Sequence, residues 1–464
     1  MKLKLLNHSA SRERSQDHHI LQRSIGTSSH PFQKEREYKR AINCAKTERL
    51  LAKPFVKAIA LKDRIMSIDS HKRNLEIVVA NTLDELIVWD TQLNKVVKKI
   101  ENPHENLCKN IACVPFDIEA THFISCGTDK YAKLWSTMSN EPIQTFKSTS
   151  GLNSIDCNVA QRQFATAGDV LQVWDFERDA PLQSIEWGSD TLQSVKYNPC
   201  EPYLIGSSGK SRSIIIYDTR SGQPAHKVVL EMSCTNMRWN PMEAMNFACS
   251  NEDGNSYLFD VRKLNRSVNI YKGHVNAVLD IDFCPTGKEV VTCSYDKTIR
   301  IFNTTKGRSR DVYHTSRMQR CFSVCFSRDS KFIYSGSDDA NIRQWKSNAS
   351  EKFHTTGREK SHINYMQSLK EKYKDVPELK KIDQHRRLPK YVYKESSKIF
   401  EMEQAKKRKE RNIVKHSKAN NLLELPQVHE NDRQDLEIDD AYQQSVIKNF
   451  RKSERVLKIV TTEE

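Results

Sequence analysis

The chain has 464 residues, of which 29% are charged, and a formal net charge of +15 that is unevenly spread: +7 over residues 1–53, +2 over 54–350, +10 over 351–418 and −4 over 419–464. No apolar run approaches the roughly 18 residues of a membrane span, no Cys/His grouping has zinc spacing, and the start MKLKLLNHSASRERS lacks the apolar core of a secretory signal. The twelve isolated cysteines therefore read as reduced, mostly buried thiols of a soluble intracellular protein. A near-neutral body with basic ends is the electrostatic footprint of a polyanion partner, although solvated helix faces leave the same trace in charge alone.

Residues 1–53 make a basic arm. Its segment PFQKEREYKRAINCAKTERLLAKPF (31–55) predicts an amphipathic helix, with Tyr38, Ile42 and Ala45 on one face at i, i+4 and i+7. Such a helix serves as packing on the body, as a partner-binding arm, or as both.

Residues 54–350 repeat. Seven short apolar runs (DELIVWD, DKYAKLWS, DVLQVWD, RSIIIYD, NSYLFD, KTIRIFN, NIRQWK) end in Trp89, Trp135, Trp174, Tyr217, Phe259, Phe302 and Trp345, spaced 46, 39, 43, 42, 43 and 43 residues apart. Each unit has an alternating strand, a run into small residues, a tight turn, and then the aromatic-ending strand. Asp129, Asp253, Asp296 and Asp339 each stand six residues before the aromatic, in that turn. Four strands per unit at this period resemble WD40 blades, which implies an all-β, seven-bladed propeller. Gly273–His274 with Asp296 matches the family's His–Asp pairing in one blade only. PFVKAIAL, preceding the first full set of strands, places Phe55–Leu61 as the outer strand of blade seven, closing the ring and hiding sheet edges.

In blade four the run GSSGKS (206–211) imitates a phosphate-binding loop. That motif requires glycine five residues before Gly209, where Leu204 stands, and a helix after it, where SIIIY continues as a strand. The run is a hairpin. There is no GxSxG or HExxH, and His71, His104, His226 and His314 fall in separate connections, so neither enzyme, metal nor cofactor is expected. Tyr217-Asp218-Thr219-Arg220 and Phe259-Asp260-Val261-Arg262 resemble the WDxR endings by which WD40 substrate receptors dock onto adaptors of cullin-RING ubiquitin ligases. Arg220 and Arg262 are the docking candidates; the bland alternative is a salt bridge to a neighbouring blade.

Residues 351–418 form a basic helical extension. One helix carries Tyr365, Leu369 and Tyr373 on a stripe ended by Val376-Pro377. HRRLPKYVYK then mixes His385, Arg386, Arg387 and Lys390 with Tyr391 and Tyr393, suited to phosphate contact with some base stacking. A second helix ends in KKRKERNIVKHSK, which packs Lys406, Lys407, Arg408, Lys409, Arg411, Lys415 and Lys418 into thirteen residues, a nuclear import signal, a nucleic-acid contact or both.

REKSHINYMQSLKEKYKDVPELKKIDQHRRLPKYVYK with AKKRKERNIVKHSK closely resembles the C-terminal domain of the Sof family, and AINCAKTERLLAKPF, NPMEAMNF, SYDKTIRIF and HTSRMQRCFSV fit the same family. The resemblance implies a nucleolar WD40 component of the small-subunit processome, partnered with precursor ribosomal RNA, small nucleolar ribonucleoprotein and other processome proteins, with no membrane or small-molecule substrate. Family members named as cullin-ligase substrate receptors keep that second role open. Residues 419–464 depart from the family pattern through the acidic ANNLLELPQVHENDRQDLEIDD, a protein contact or a spacer.

Overall fold

The structure, a computed structural model, describes residues 32–75, 77–116, 122–186 and 190–416. The chain divides into two compact units, Met1–Ser396 and Ser397–Glu464.

Seven four-stranded antiparallel sheets occupy the first unit and form a β-propeller. Blades one to six take residues 65–101, 108–147, 154–185, 192–229, 234–271 and 278–313; blade seven takes 321–346 and borrows Phe55–Ala60. The first strands of successive blades are neighbours around the ring, so they line its axis. The borrowed strand pairs with Asn341–Lys346, Ile59 opposite Ile342 and Ala58 opposite Arg343, as the apolar run at 55–61 leads one to expect.

The periodic aromatics join one blade to the next. Trp345 stacks on Tyr313 of blade six at 5.6 Å and meets Phe55 of the closing strand edge-on at 5.7 Å. Trp89 of blade one meets Tyr334 of blade seven at 5.8 Å. The polar residue after each aromatic has its own task. Asp90, Asp175, Asp218, Asp260 and Asn303 accept the backbone N–H two residues on, at 2.7–3.3 Å, and so fold the turn into the fourth strand. Asparagines Asn158, Asn198 and Asn240 donate to carbonyls of the following blade, those of Pro202, Ala244 and Gly287.

GSSGKS is a hairpin as expected. Leu204–Gly209 pairs with Ser213–Asp218 around Lys210–Arg212, with Arg212 at a φ of 68°. One expectation is corrected: the His–Asp pair is not confined to blade six. Besides His274 Nδ1 with Asp296 Oδ2 (2.9 Å), His104 Nδ1 meets Asp129 Oδ2 at 2.9 Å in blade two. There Trp135 Nε1–H donates to Ser125 Oγ, which lies 2.7 Å from His104 Nε2. Sequence comparison with a Gly–His template misses this relay because Pro103 precedes His104 and 25 residues separate it from Asp129, against 22 in blade six. Burial pushes both imidazoles below their ordinary pKa, against the pull of their aspartates.

Among the described residues, four helices flank the ring sequence: α1 (Gln33–Leu51), α2 (Gly357–Lys372), α3 (Pro377–Gln384) and α4 (Lys390–His416). Ala41 and Ala45 of α1 pack with Leu369 of α2 and Leu379 of α3, framed by Ile42, Tyr365, Tyr373 and Ile382. Thr356 and Glu359 cap α2 reciprocally. Pro377 does not merely end a helix; at the first position of α3 its missing N–H has no cost. Arg49 of α1 fastens this cluster to blade six, with Nη1 2.6 Å from Asp311 Oδ1 and Nη2 donating to the Asp383 carbonyl at 2.9 Å.

Candidate nucleic-acid interface

Part of the positive charge of the extension is already engaged. Lys370 pairs with Glu48, and Lys372 with Glu37 at 2.8 Å; the hydrogen bond from Lys372 is the main reason the Glu37 carboxyl is held below its usual range. Tyr38 hydroxyl donates to Glu378 at 2.7 Å, a third tie between α1 and the C-terminal helices. Among the sequence-derived RNA candidates, Arg386 is half-buried. Its Nε donates to the Ser309 carbonyl of blade six at 3.0 Å and its Nη1 to the carbonyls of Asp383 and His385. Burial, with Arg49 nearby, lowers its pKa. This side chain anchors the α3–α4 connection to the ring, which composition alone could not distinguish from a free cation.

The remaining candidates stand differently. Arg387 and Lys390 are exposed, as are Tyr391 and Tyr393. Pro389 precedes α4 and Val392 buries completely, so the two tyrosines flanking Val392 are turned to solvent by the helical period. Lys394, missed by sequence reading, is exposed one turn beyond Lys390. Further along α4, Lys406, Lys407, Arg408 and Lys409 are consecutive and exposed. Four adjacent residues span a full helical turn at 100° each, so cations point around most of the helix circumference. Arg411 and Lys415 fall on α4 as well; Lys418 and the acidic segment lie outside the described residues.

Arg220 and Arg262 share one geometry. Each guanidinium closes on the aspartate two residues before it: Arg220 Nε and Nη2 meet Asp218 at 3.2 and 3.0 Å, and Arg262 meets Asp260 at 3.1 and 3.0 Å. Both side chains remain 67% and 71% exposed. The pairing is within the blade, not with a neighbouring blade. Arg220 also lies 5.2 Å over the Tyr203 ring. Because both sit in turns from the third to the fourth strand, they emerge on one face of the ring in adjacent blades. Among the described residues no group of His, Cys, Asp or Glu is arranged to hold a metal, and no helix is long and apolar enough to cross a membrane.

Comparison with known proteins bears on this arrangement. Residues 347–434 match the Sof1-like domain, and residues 265–303 and 312–346 match the WD domain, G-beta repeat. "DDB1- and CUL4-associated factor 13" of Danio rerio is 41% identical over 420 residues, 89% of this chain and 94% of the relative. "Protein SOF1" of Saccharomyces cerevisiae is 38% identical over 417 residues, 83% of this chain and 85% of the relative. The chain belongs to the Sof1 family of WD40-repeat proteins. In this Sof1-family chain, the exposed cations of α4 and the anchor Arg386 both fall inside the segment that matches the Sof1-like domain. Arg220 and Arg262 fall outside the matched WD repeats.

Proposed function

We propose that this Sof1-family protein is a non-catalytic scaffold of the small-subunit processome, acting in the nucleolus on precursor ribosomal RNA together with small nucleolar ribonucleoprotein and other processome proteins. The observation that carries this reading is the exposed turn Lys406–Lys409 on α4, inside the segment that matches the Sof1-like domain. Phosphate contacts of this kind position a protein on RNA and carry little sequence information. Arg387, Lys390 and the rings of Tyr391 and Tyr393 add a second contact where an unstacked base can lie on an aromatic face. The ring closes on itself through the borrowed strand Phe55–Ala60 and offers rigid faces for proteins while α4 holds RNA.

The test is a charge variant, K406E/K407E/R408E/K409E, expressed in place of the wild-type chain. Loss of co-sedimentation with pre-ribosomal particles, with an unchanged melting temperature, is the expected result; unimpaired co-sedimentation would overturn the reading. Truncation after Gly357 is a poorer test, because it strips Leu369 and Leu379 from Ala41 and Ala45.

A second reading has specific support. Several relatives carry the name DDB1- and CUL4-associated factor 13, and Arg220 and Arg262 present matched, exposed guanidinium groups on one face. In that reading the protein is a substrate receptor of a cullin-RING ligase, and R220E/R262E abolishes adaptor pull-down. Retained pull-down would remove it.

A further inference from the structure

The first strand of six blades carries a one-residue bulge near its start, interrupting the register between Ile65 and Ser67, Cys108 and Asn110, Leu192 and Ser194, Cys234 and Asn236, Val278 and Asp280, and Cys321 and Ser323. A bulge leaves one residue outside the ladder and re-aims its side chain. The residues so displaced are Met66, Lys109, Gln193, Thr235, Leu279 and Phe322, all half-buried, each following a buried residue. Since first strands line the axis, these side chains surround one mouth of the ring. Blades two, four and five contribute polar or charged groups there; blades six, seven and one contribute Leu279, Phe322 and Met66, an unbroken apolar crescent.

Cations and a second ring border that crescent. Tyr295, in the turn before the third strand of blade six, is 36% exposed and meets Phe322 edge-on, centroids 6.0 Å apart. The Arg320 guanidinium lies 5.5 Å over the Tyr295 ring. Lys297 donates to Gln319 at 2.7 Å, and Arg317 is exposed on the same connection. None of these three cations forms an ion pair among the described residues. On the flanking turns Asp339 holds Arg343 and Asp296 holds His274, while Asp338 donates its N–H to the Arg320 carbonyl at 2.9 Å.

We propose that this mouth is a second nucleic-acid contact, binding an unpaired stretch of single-stranded RNA with bases against Phe322 and Tyr295 and phosphates at Lys297, Arg317 and Arg320. Flat ring faces with cations beside them fit a base and its phosphate, each base offering a π-face whatever its identity. The inference shares with the proposed function the premise that the chain contacts RNA, but it uses residues of the ring rather than of α4.

The experiment photocrosslinks the full chain to a short oligouridylate carrying 4-thiouridine and maps the adducts by mass spectrometry. Adducts on the peptides bearing Tyr295 and Phe322, lost in Phe322→Ala and weakened about tenfold in R317E/R320E, are expected. R317E/R320E alters only exposed loop positions, so it reports even if Phe322→Ala impairs folding. Adducts confined to α4 would overturn this site and leave the proposed function standing. Adducts nowhere would overturn both. Unchanged adducts together with displacement of the RNA by an acidic peptide would reassign the mouth to a protein partner and overturn the inference.

Discussion

Arg386 and the Lys406–Lys409 turn belong to one basic stretch of sequence, yet they do opposite things. Arg386 gives its donors to carbonyls of Ser309, Asp383 and His385 and becomes part of the fold; the four later cations remain in solvent. Lys370 and Lys372, paired with glutamates of α1, side with Arg386. A local excess of positive charge is therefore not a measure of binding surface. What separates the two groups is whether an acidic side chain or a free carbonyl is brought within reach, and only tertiary structure decides that.

That contrast can be broken at several points. The largest effect is expected inside the ring: Trp345→Ala removes the contacts to Tyr313 and Phe55 that close blade seven and should cost about 3–5 kcal/mol, read as a lowered denaturant midpoint. Next is the α4 variant K406E/K407E/R408E/K409E. Removing four phosphate contacts should flatten the salt dependence of RNA binding by roughly 3 in log–log slope, at about 0.7 per contact for single strands, measured by anisotropy titrations across salt. Asp311→Ala leaves Arg49 without its short partner beside blade six; loosened α1 should appear as faster amide exchange there, with the blade cores unchanged.

A smaller effect concerns pH. His104 and His274 are held neutral by burial, their folded pKa values lying below the ordinary 6.5. Protonation thus favours the unfolded chain. Stability from these two sites is complete above about pH 6.5 and declines as pH falls through the lowered values. Melting curves between neutral and mildly acidic pH should show that slope, and H104N/H274N should flatten it. Least of all, R220A/R262A should leave the melting temperature unchanged, since both guanidinium groups are exposed on their own strand-end aspartates.

The ring was legible because its signal is redundant: seven aromatics at a near-constant period, six of them followed by a residue able to fold a turn. Even the closing strand could be read from PFVKAIAL, an apolar run without a blade of its own. Residues whose meaning depends on distant partners were not legible. His104 looked like a loop histidine because Asp129 and Ser125 reach it only after blade two folds. Arg386 looked like an RNA contact because Ser309 is 77 positions away in sequence. Phe322 drew no notice as a surface residue, since a bulge rather than strand alternation turns it outward.

The central claim is that α4 grips precursor ribosomal RNA through its exposed cations Lys406–Lys409. Crosslinking followed by sequencing of bound RNA, comparing the wild-type chain with K406E/K407E/R408E/K409E, tests it most directly. Enrichment of small-subunit ribosomal precursor that disappears in the variant is the expected outcome. Equal enrichment from both chains, or recovery of unrelated RNA from the wild type, would contradict it.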